Sequence, residues 1–534
     1  MTDTAVLAPA APAPSPTIPW LGLTAVLLGT FISTLNGRIS TFGLADIRGA
    51  MHAGFDEGAW ITTAQTMAQM MIAPVAVWMG SIYGPRRVLL GAALGFAVIS
   101  MIAPFTTNLT LLLGLQFLGG IASGFFVPLT LSFVLRSVPP KYWAYGVAVY
   151  ALNLELSLNI SASLEGWYVD HLSWQWIYWQ NVPLAAGMAL CLHYGTARTP
   201  PAPNQPPPDI FGLASVGLGF ALIYAALDQG NRLDWLNSGV VWGLLLAGAV
   251  LVAGFVVHER RTQHPFIDFK AAFAPPMPQL LLLVAFLRLT ILSTAYLIPQ
   301  YLQAVRGFRA LEVGQTLVWI AAPQLILCPL AAVMLRRLDP RLVSSIGFVF
   351  VAIACLTVAH GLTPLWSSDQ FLPSQLFQAV GQSFALSGIL FLAVLNLRPE
   401  HALTLGAVVQ MARLMGGEIG QAFVVTITRV RSQTASNLIG LHVQTGDGAV
   451  QQRLAAYAAV TGRGDVDTTA GAGRAASVLG AVVRSAAATQ GVIDAFVAVG
   501  ALTAVALILV AALRRAPQGP ASHVPFFARR ERPL

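Results

Sequence analysis

Gln116-Phe-Leu-Gly119 stands inside one long apolar run of the chain, and Gln378-Ala-Val-Gly381 stands inside another at an offset of 262 residues. Leu135-Arg136 recurs as Leu397-Arg398 at the same offset of 262. Pro139 precedes Gly146 by seven residues, as Pro399 precedes Gly406. Tyr83-Gly-Pro-Arg86 is echoed by Leu338-Asp-Pro-Arg341 at an offset of 255. Each match is short, but all fall in order, which reads as an internal duplication: two parallel six-helix halves with two extra helices between them.

The material around the repeat says what solvent those halves face. Of 534 residues, 56% are hydrophobic and only 10% are charged, with a mean hydropathy of +0.69. A soluble chain carries about 25% charged residues, so this pool cannot cover a water-facing surface. Apolar runs fall at 20–42, 58–79, 88–106, 109–135, 143–165, 175–195, 210–227 and 237–257. Six more lie at 278–301, 313–335, 341–362, 369–396, 401–430 and 491–513. Each approaches the ~20 residues needed to cross a bilayer. Only helices satisfy their backbone groups within one such segment, and alternating barrel strands are absent. The expected fold class is an all-α polytopic membrane protein of about fourteen spans.

Charge placement tests the count. With the N-terminus in the cytoplasm, inner loops and the C-terminal tail hold seventeen Lys and Arg, among them Arg86, Arg87, Arg336, Arg337 and Arg341, against four in the outer loops. Removing one span would invert every later loop and destroy that asymmetry. Both termini are therefore expected inside. The net charge of +8 is scattered in short clusters, with no continuous patch for nucleic acid. Cys191, Cys328 and Cys355 lie in or beside apolar runs without paired spacing and read as small core residues.

The domain expectation follows. Residues 1–19 form a disordered cytoplasmic tail before an uncleaved anchor, 20–195 the N-terminal half, and 196–209 a Pro-rich cytoplasmic linker. Residues 210–257 are the inserted pair, 258–277 a second cytoplasmic linker, 278–513 the C-terminal half, and 514–534 a basic cytoplasmic tail. Within the last half, 432–490 is Ala/Gly/Thr/Arg-rich and too charged to span. By alternation it is external, and a folded cap, a docking arm and disorder are all open for it.

Several landmarks resemble the fourteen-span drug–proton antiporter family of major facilitator exporters. They are Trp60-Ile-Thr-Thr-Ala64, Gly84-Pro-Arg-Arg-Val-Leu-Leu90 and Ser173-Trp-Gln-Trp-Ile-Tyr-Trp-Gln-Asn-Val-Pro183. Asp209-Ile-Phe-Gly212, Leu227-Asp-Gln-Gly230, Asp234-Trp235, His264-Pro-Phe-Ile-Asp268 and Pro299-Gln-Tyr-Leu-Gln303 continue the series, as does Arg413 with Gly416, Gly417 and Gly420. The resemblance implies the major facilitator fold and covers roughly 20–430 and the last helix. Departures accompany it: Asn36 stands where the family places an aspartate, Arg38 where it places a threonine, and Gln116 where it places an arginine. Val77 and Ser81 replace the Gly-x-x-x-Asp of the loop after the second span. The fifth-span motif reads Ser161-Ala-Ser-Leu-Glu-Gly166 in place of Gly-Pro-x-x-Gly-Gly.

Ionisable groups inside hydrocarbon are costly, so each asks for a role. Arg38, Glu155, Arg288, Arg413 and Glu418 are such groups, and by resemblance their helices line a central cavity. Glu155 and Glu418 are the proton-coupling candidates, with a static Arg38–Glu155 ion pair as the alternative for the first. Arg38, Arg288 and Arg413 outnumber the two glutamates, which favours neutral or anionic amphipaths such as aromatic acids, because an arginine can fork onto a carboxylate. Asn36, Gln116 and Asn159 are polar candidates for substrate contact or for interhelical hydrogen bonds. Gly84, Arg86 and Arg87 form an inner loop to which the resemblance assigns gating of the cytoplasmic side.

No Walker sequence, zinc spacing or nucleophilic triad appears, so the reading is neither an enzyme nor an ATP-driven pump, and it needs no cofactor. It is a secondary active exporter of small amphipathic molecules, driven by proton antiport in a bacterial inner membrane among membrane lipids. A proton-independent exchanger and a transport-inactive receptor or assembly subunit are its rivals. In a Gram-negative source the resemblance implies a periplasmic adaptor and an outer-membrane channel as partners.

Overall fold

The computed structural model describes residues 20–137, 139–196, 209–262, 276–396, 402–443, 447–461 and 468–513. The two linkers expected to be cytoplasmic, both tails, Leu397-Arg398 and Pro399 of the repeat, and much of the basic charge expected inside fall wholly or largely outside them. Every regular element among these residues is helical. Fourteen long segments stand where the apolar runs were read. They are α1 (Trp20–Phe42), α2 (Trp60–Tyr83), α3 (Pro85–Ile102), α4 (Leu109–Gly124 running on as Phe126–Ser137) and α5 (Trp143–His171). Then come α6 (Asn181–Gly195), α7 (Ile210–Gly230), α8 (Gly239–Arg261), α9 (Met277–Leu292, continuing to Ala304) and α10 (Ala310–Arg337). Last are α11 (Pro340–Gly361), α12 (Leu372–Leu395), α13 (Ala402–Gly440) and α14 (Thr468–Ala511).

Eleven of them are long and apolar enough to cross a membrane. The others are α2, which carries Thr62, Thr63, Gln65, Thr66 and Gln69, α6, with 15 residues, and α13, which carries Arg413 and Glu418. Fourteen spans remain compatible with this layout. Helix starts are set by local chemistry. Asn108 accepts from Thr110 N at 2.8 Å before α4, Asp209 from Gly212 N at 2.9 Å before α7, and Asp339 from Arg341 N at 2.9 Å before α11. Pro85 and Pro340 occupy first-turn positions, where no backbone donor is lost.

Packing repeats between the halves. α1 lies on α5 and α6, as α9 lies on α13 and α14; α2 lies on α4, as α10 lies on α12; α3 lies on α6, as α11 lies on α14. The parallel duplication expected from the offsets is therefore present in the contacts. Between the halves, α7 packs on α2 and α13 while α8 touches mainly α7. Only 17% of the apolar window of α8 is buried, against 89% for α12, so α8 is a peripheral, lipid-facing helix.

The halves meet most extensively along α5 and α10. Small residues allow that approach: a Cβ on Gly166 would fall 2.3 Å from Leu311 N, and one on Gly314 2.6 Å from Ser163 N. At the basal end, where α1 begins, Arg336 Nη1 of α10 donates to Tyr145 Oη of α5 at 2.9 Å. An apolar cluster there joins Val127, Val147 and Tyr150 of one half to Leu280, Leu283 and Phe391 of the other. α13 closes on α4 where Gly406 faces Pro128 O. The basal end is shut. At the distal end, residues 432–490 are mostly helix: α13 runs on to Gly440, a short helix spans Gly448–Thr461, and α14 begins at Thr468.

Close packing at one small residue can be tested against a neighbour on the same helix. A Cβ on Gly120 would lie 2.2 Å from Gln65 O, whereas one on Gly114 would meet nothing within 4 Å. Gly120→Val is expected to destabilise the protein by about 1–3 kcal/mol through overpacking, read as a lower melting temperature in detergent. Gly114→Val should leave that temperature unchanged.

Candidate functional site

A cavity of about 140 Å3 lies between the halves, walled by α1, α2, α7, α9 and α13 with Leu158 of α5. Thr41, the wall residue farthest along α1 toward the distal end, is exposed, while the basal side is shut by the contacts above. Three arginines line it: Arg38, Arg288 and Arg413. Arg38 Nη2 donates to Ala295 O at 2.7 Å, tying α1 to α9 across the halves. Ala295 sits in the π-helical turn Ser293–Leu297, where the regular ladder is disturbed and a carbonyl can accept from outside. The Arg38 guanidinium also lies 5.1 Å from the Phe42 ring centroid. Arg413 Nε donates to Gln410 Oε1 at 3.0 Å.

Arg288 lies over the bare backbone of Gly417, whose missing Cβ would sit 3.7 Å from Arg288 Nε. The Nε atoms of Arg288 and Arg38 are buried without a hydrogen-bond partner. Arg288 is within electrostatic reach of Arg38, Arg413 and Glu155. The guanidinium groups thus lie within reach of one another at the cavity, and two of them have an Nε donor to spare.

Glu155 is 1% exposed, and its Oε2 has no hydrogen-bond partner. It stands behind the wall, near Arg288 and Arg413, and no ion pair joins it to Arg38 among the described residues. Glu418 does line the cavity, is 5% exposed, and leaves Oε1 without a partner. Its neighbours are Tyr224 and Asp228, both on the inserted helix α7. Neither was singled out from sequence as a site residue; Asp228 was read only inside the Leu227-Asp-Gln-Gly230 landmark.

The polar candidates divide. Asn36 accepts from Asn181 Nδ2 at 2.7 Å, a bond between α1 and α6 within one half, away from the cavity wall. Gln116 is buried in α4 off the wall, with its Nε2 unpartnered. Asn159 donates to Gln324 Oε1 and to Gln382 Oε1, each at 3.3 Å. Gln324 Nε2 donates to Gln382 Oε1 at 3.2 Å, and Gln382 Nε2 to Thr294 Oγ1 at 3.0 Å. This chain of amides links α5 of one half to α10, α12 and α9 of the other. Polar residues inside apolar runs were the available signal for Gln324 and Gln382.

At the basal loop, Gly84 adopts φ 80°, a conformation that favours glycine. Arg86 Nη2 donates to His193 O at 2.6 Å in the last turn of α6, while Arg87 is exposed. Arg341, its partner in the repeat, donates to Leu513 O at 2.7 Å just past α14 and pairs with Asp339 at 2.9 Å. Both arginines hold the last carbonyls of the sixth helix of their half, where a positive charge suits the helix end.

A family model described as the Major Facilitator Superfamily matches residues 26–421. The chain belongs to that superfamily. Probable multidrug resistance protein EmrY of Escherichia coli strain K12 is 24% identical over 76% of this chain and 80% of its own length. Multidrug export protein EmrB of the same strain is 22% identical over 76% and 79%. The crystal structure of the human organic anion transporter MFSD10 (TETRAN) shares the fold at TM-score 0.55 and 15% identity, covering 93% of this chain and 98% of its own. The resemblance to the superfamily's multidrug exporters drawn from the motifs holds, and the chain is a multi-span membrane protein with relatives among them. The family match stops at Gln421, within α13 and before the distal helices.

Replacing Gln382 by Leu would strip Gln324 Nε2 of its acceptor in the dry interior and remove one bond each from Asn159 and Thr294. Gln382→Leu is expected to cost about 1–3 kcal/mol, seen as a lower melting temperature and as looser protease resistance.

Proposed function

We propose that this superfamily member is a secondary active exporter of small amphipathic molecules, working by proton antiport and alternating access of its two halves. The observation that carries the reading is the cavity between the halves, shut at its basal end and lined both by arginines whose Nε donors lack partners and by a carboxyl with one oxygen unpartnered. A packing role alone would not keep such groups in the interior, because each buried group without a partner costs free energy. The basal end is taken as cytoplasmic, with both termini inside a bacterial inner membrane, as the loop charges require.

The arrangement supports neutral or anionic amphipaths, with aromatic acids as the test class. A substrate carboxylate would take the free donors of Arg288 and Arg38. Of the two proton-coupling candidates, the geometry supports Glu418 over Glu155. Glu155 stands behind the wall with two arginines nearby, whereas Glu418 reaches the cavity itself. The long distal helices of α13 and α14 are where a periplasmic adaptor, leading to an outer-membrane channel, would make contact. EmrY and EmrB are named for multidrug resistance and export, and that class of cargo is carried over to this chain.

A second reading, proton-independent exchange of organic anions, is favoured by one observation. Asn36, standing where the resemblance expects an acid, is bonded to Asn181 inside its own half. One experiment separates the two. Purified protein in proteoliposomes under an imposed pH gradient is given aromatic acids and lipophilic cations in turn. Aromatic acids are expected to evoke proton movement, and Glu418→Gln to reduce gradient-driven accumulation by roughly tenfold, within the usual range for coupled sites. Acid flux with no proton movement in the unmodified protein would instead establish the exchanger.

A further inference from the structure

The inserted helix α7 is more than a spacer between the halves. Tyr224 lines the cavity and is buried, with hydrogen-bonding contacts to Thr66 of α2 and Glu418 of α13. Asp228 follows four residues later, so it shares the face of α7 that carries Tyr224, one turn nearer the distal end. Asp228 is half-buried, close to where α7 ends at Gly230. Thr63 Oγ1 of α2 donates to its Oδ2, as does Gln229 Nε2 at 3.2 Å, and Gln229 Nε2 reaches Thr63 Oγ1 at 2.6 Å. Arg232, anchored to Asp56 at 2.6 Å at the distal surface, is the charge nearest Asp228 from outside.

Glu418 completes the line. Its Oε1 is buried without a partner, and within its electrostatic surroundings the neighbours are Tyr224 and Asp228. The other charges on the same cavity are Arg38, Arg288 and Arg413. Three groups able to carry a proton therefore lie within electrostatic reach of one another, Tyr224 hydrogen-bonded to Glu418 at the cavity and Asp228 one turn of α7 nearer the distal end. Two of them belong to a helix outside either six-helix half.

The geometry points to α7 as the proton entry of the transporter, with Asp228 loading Glu418 through the Tyr224 hydroxyl. In the step, the Asp228 O–H bond breaks and its proton goes to the Tyr224 oxygen as the Tyr224 proton passes to the Glu418 carboxylate. Tyr224 ends as it began, one proton has moved inward, and Asp228 is reloaded from water at the distal surface. Arg232 holds Gln229 Oε1 at 2.7 Å and so keeps the Asp228 surroundings in place. The inference rests on the proton-antiport reading above and adds the route.

Two measurements on full-length protein in proteoliposomes test it: aromatic-acid-evoked proton movement under a pH gradient, and acid counterflow with no gradient. Asp228→Asn keeps an acceptor for Thr63, so counterflow should stay within roughly twofold while proton movement falls by roughly tenfold. Tyr224→Phe should lower proton movement per unit of counterflow by a similar factor, whatever a change in the cavity lining does to counterflow itself, and Asp228→Glu should restore proton movement, which a merely structural role would not predict. Unchanged proton movement in Asp228→Asn and Tyr224→Phe would overturn the route while leaving proton antiport standing. An unmodified protein that moves acid but no protons would overturn both. Should Asp228→Asn lose counterflow as well, Tyr224→Phe decides: a selective loss supports the route and full proton movement rejects it.

Discussion

A charged side chain cannot rest against hydrocarbon without a cost of several kcal/mol, and that constraint arranges this protein's interior. Arg38, Arg288, Arg413 and Glu418 come from three helices to line one small space between the halves, and Glu155 of a fourth stands behind its wall. The interface beside that space is made largely of apolar side chains and of amides that bond one another. The Asn159–Gln324–Gln382–Thr294 chain illustrates the second kind. It is neutral, fully buried and shared between halves, so it can hold the interface in one state without placing a charge there.

Much of this was legible before any coordinates. The offset of 255 becomes physical in Arg86 and Arg341, two arginines in equivalent places holding the ends of equivalent helices. Those pairings needed only a short motif, because a helix end always presents free carbonyls. The cavity charges were legible too, since an arginine inside an apolar run is conspicuous in any sequence. Their partners were not. Whether Arg38 meets Glu155 or Ala295 O depends on a π-helical turn in α9, which leaves no mark in residue type.

Asp228 was missed for a different reason. It stands two residues before the end of α7, where a sequence reading places it at the interface with water. Only the packing of α7 on α2 and α13 brings it beside Glu418. Counting it changes the charge argument: three arginines against two glutamates reads as net positive, but a third acid balances the formal charge. What remains is placement: Arg38, Arg288 and Arg413 on the cavity wall, and the Glu418 and Asp228 carboxyls about Tyr224. Composition cannot report placement; only the helix arrangement can.

The distal helices have a mechanical side. α13 has 39 residues and α14 has 44, which at 1.5 Å per residue gives rods of about 58 and 66 Å, roughly twice the hydrocarbon thickness. Arg431 of α13 pairs with Asp494 of α14, and Gly491 lets the two backbones touch near Ser432. They therefore leave the bundle as a braced pair that belongs wholly to the C-terminal half. Any rocking of that half is magnified at the tip. A tilt of about 10° at mid-membrane carries a point about 40 Å along the rod through about 7 Å. The pair is a pointer, and it reports the position of one half to whatever lies beyond the membrane surface.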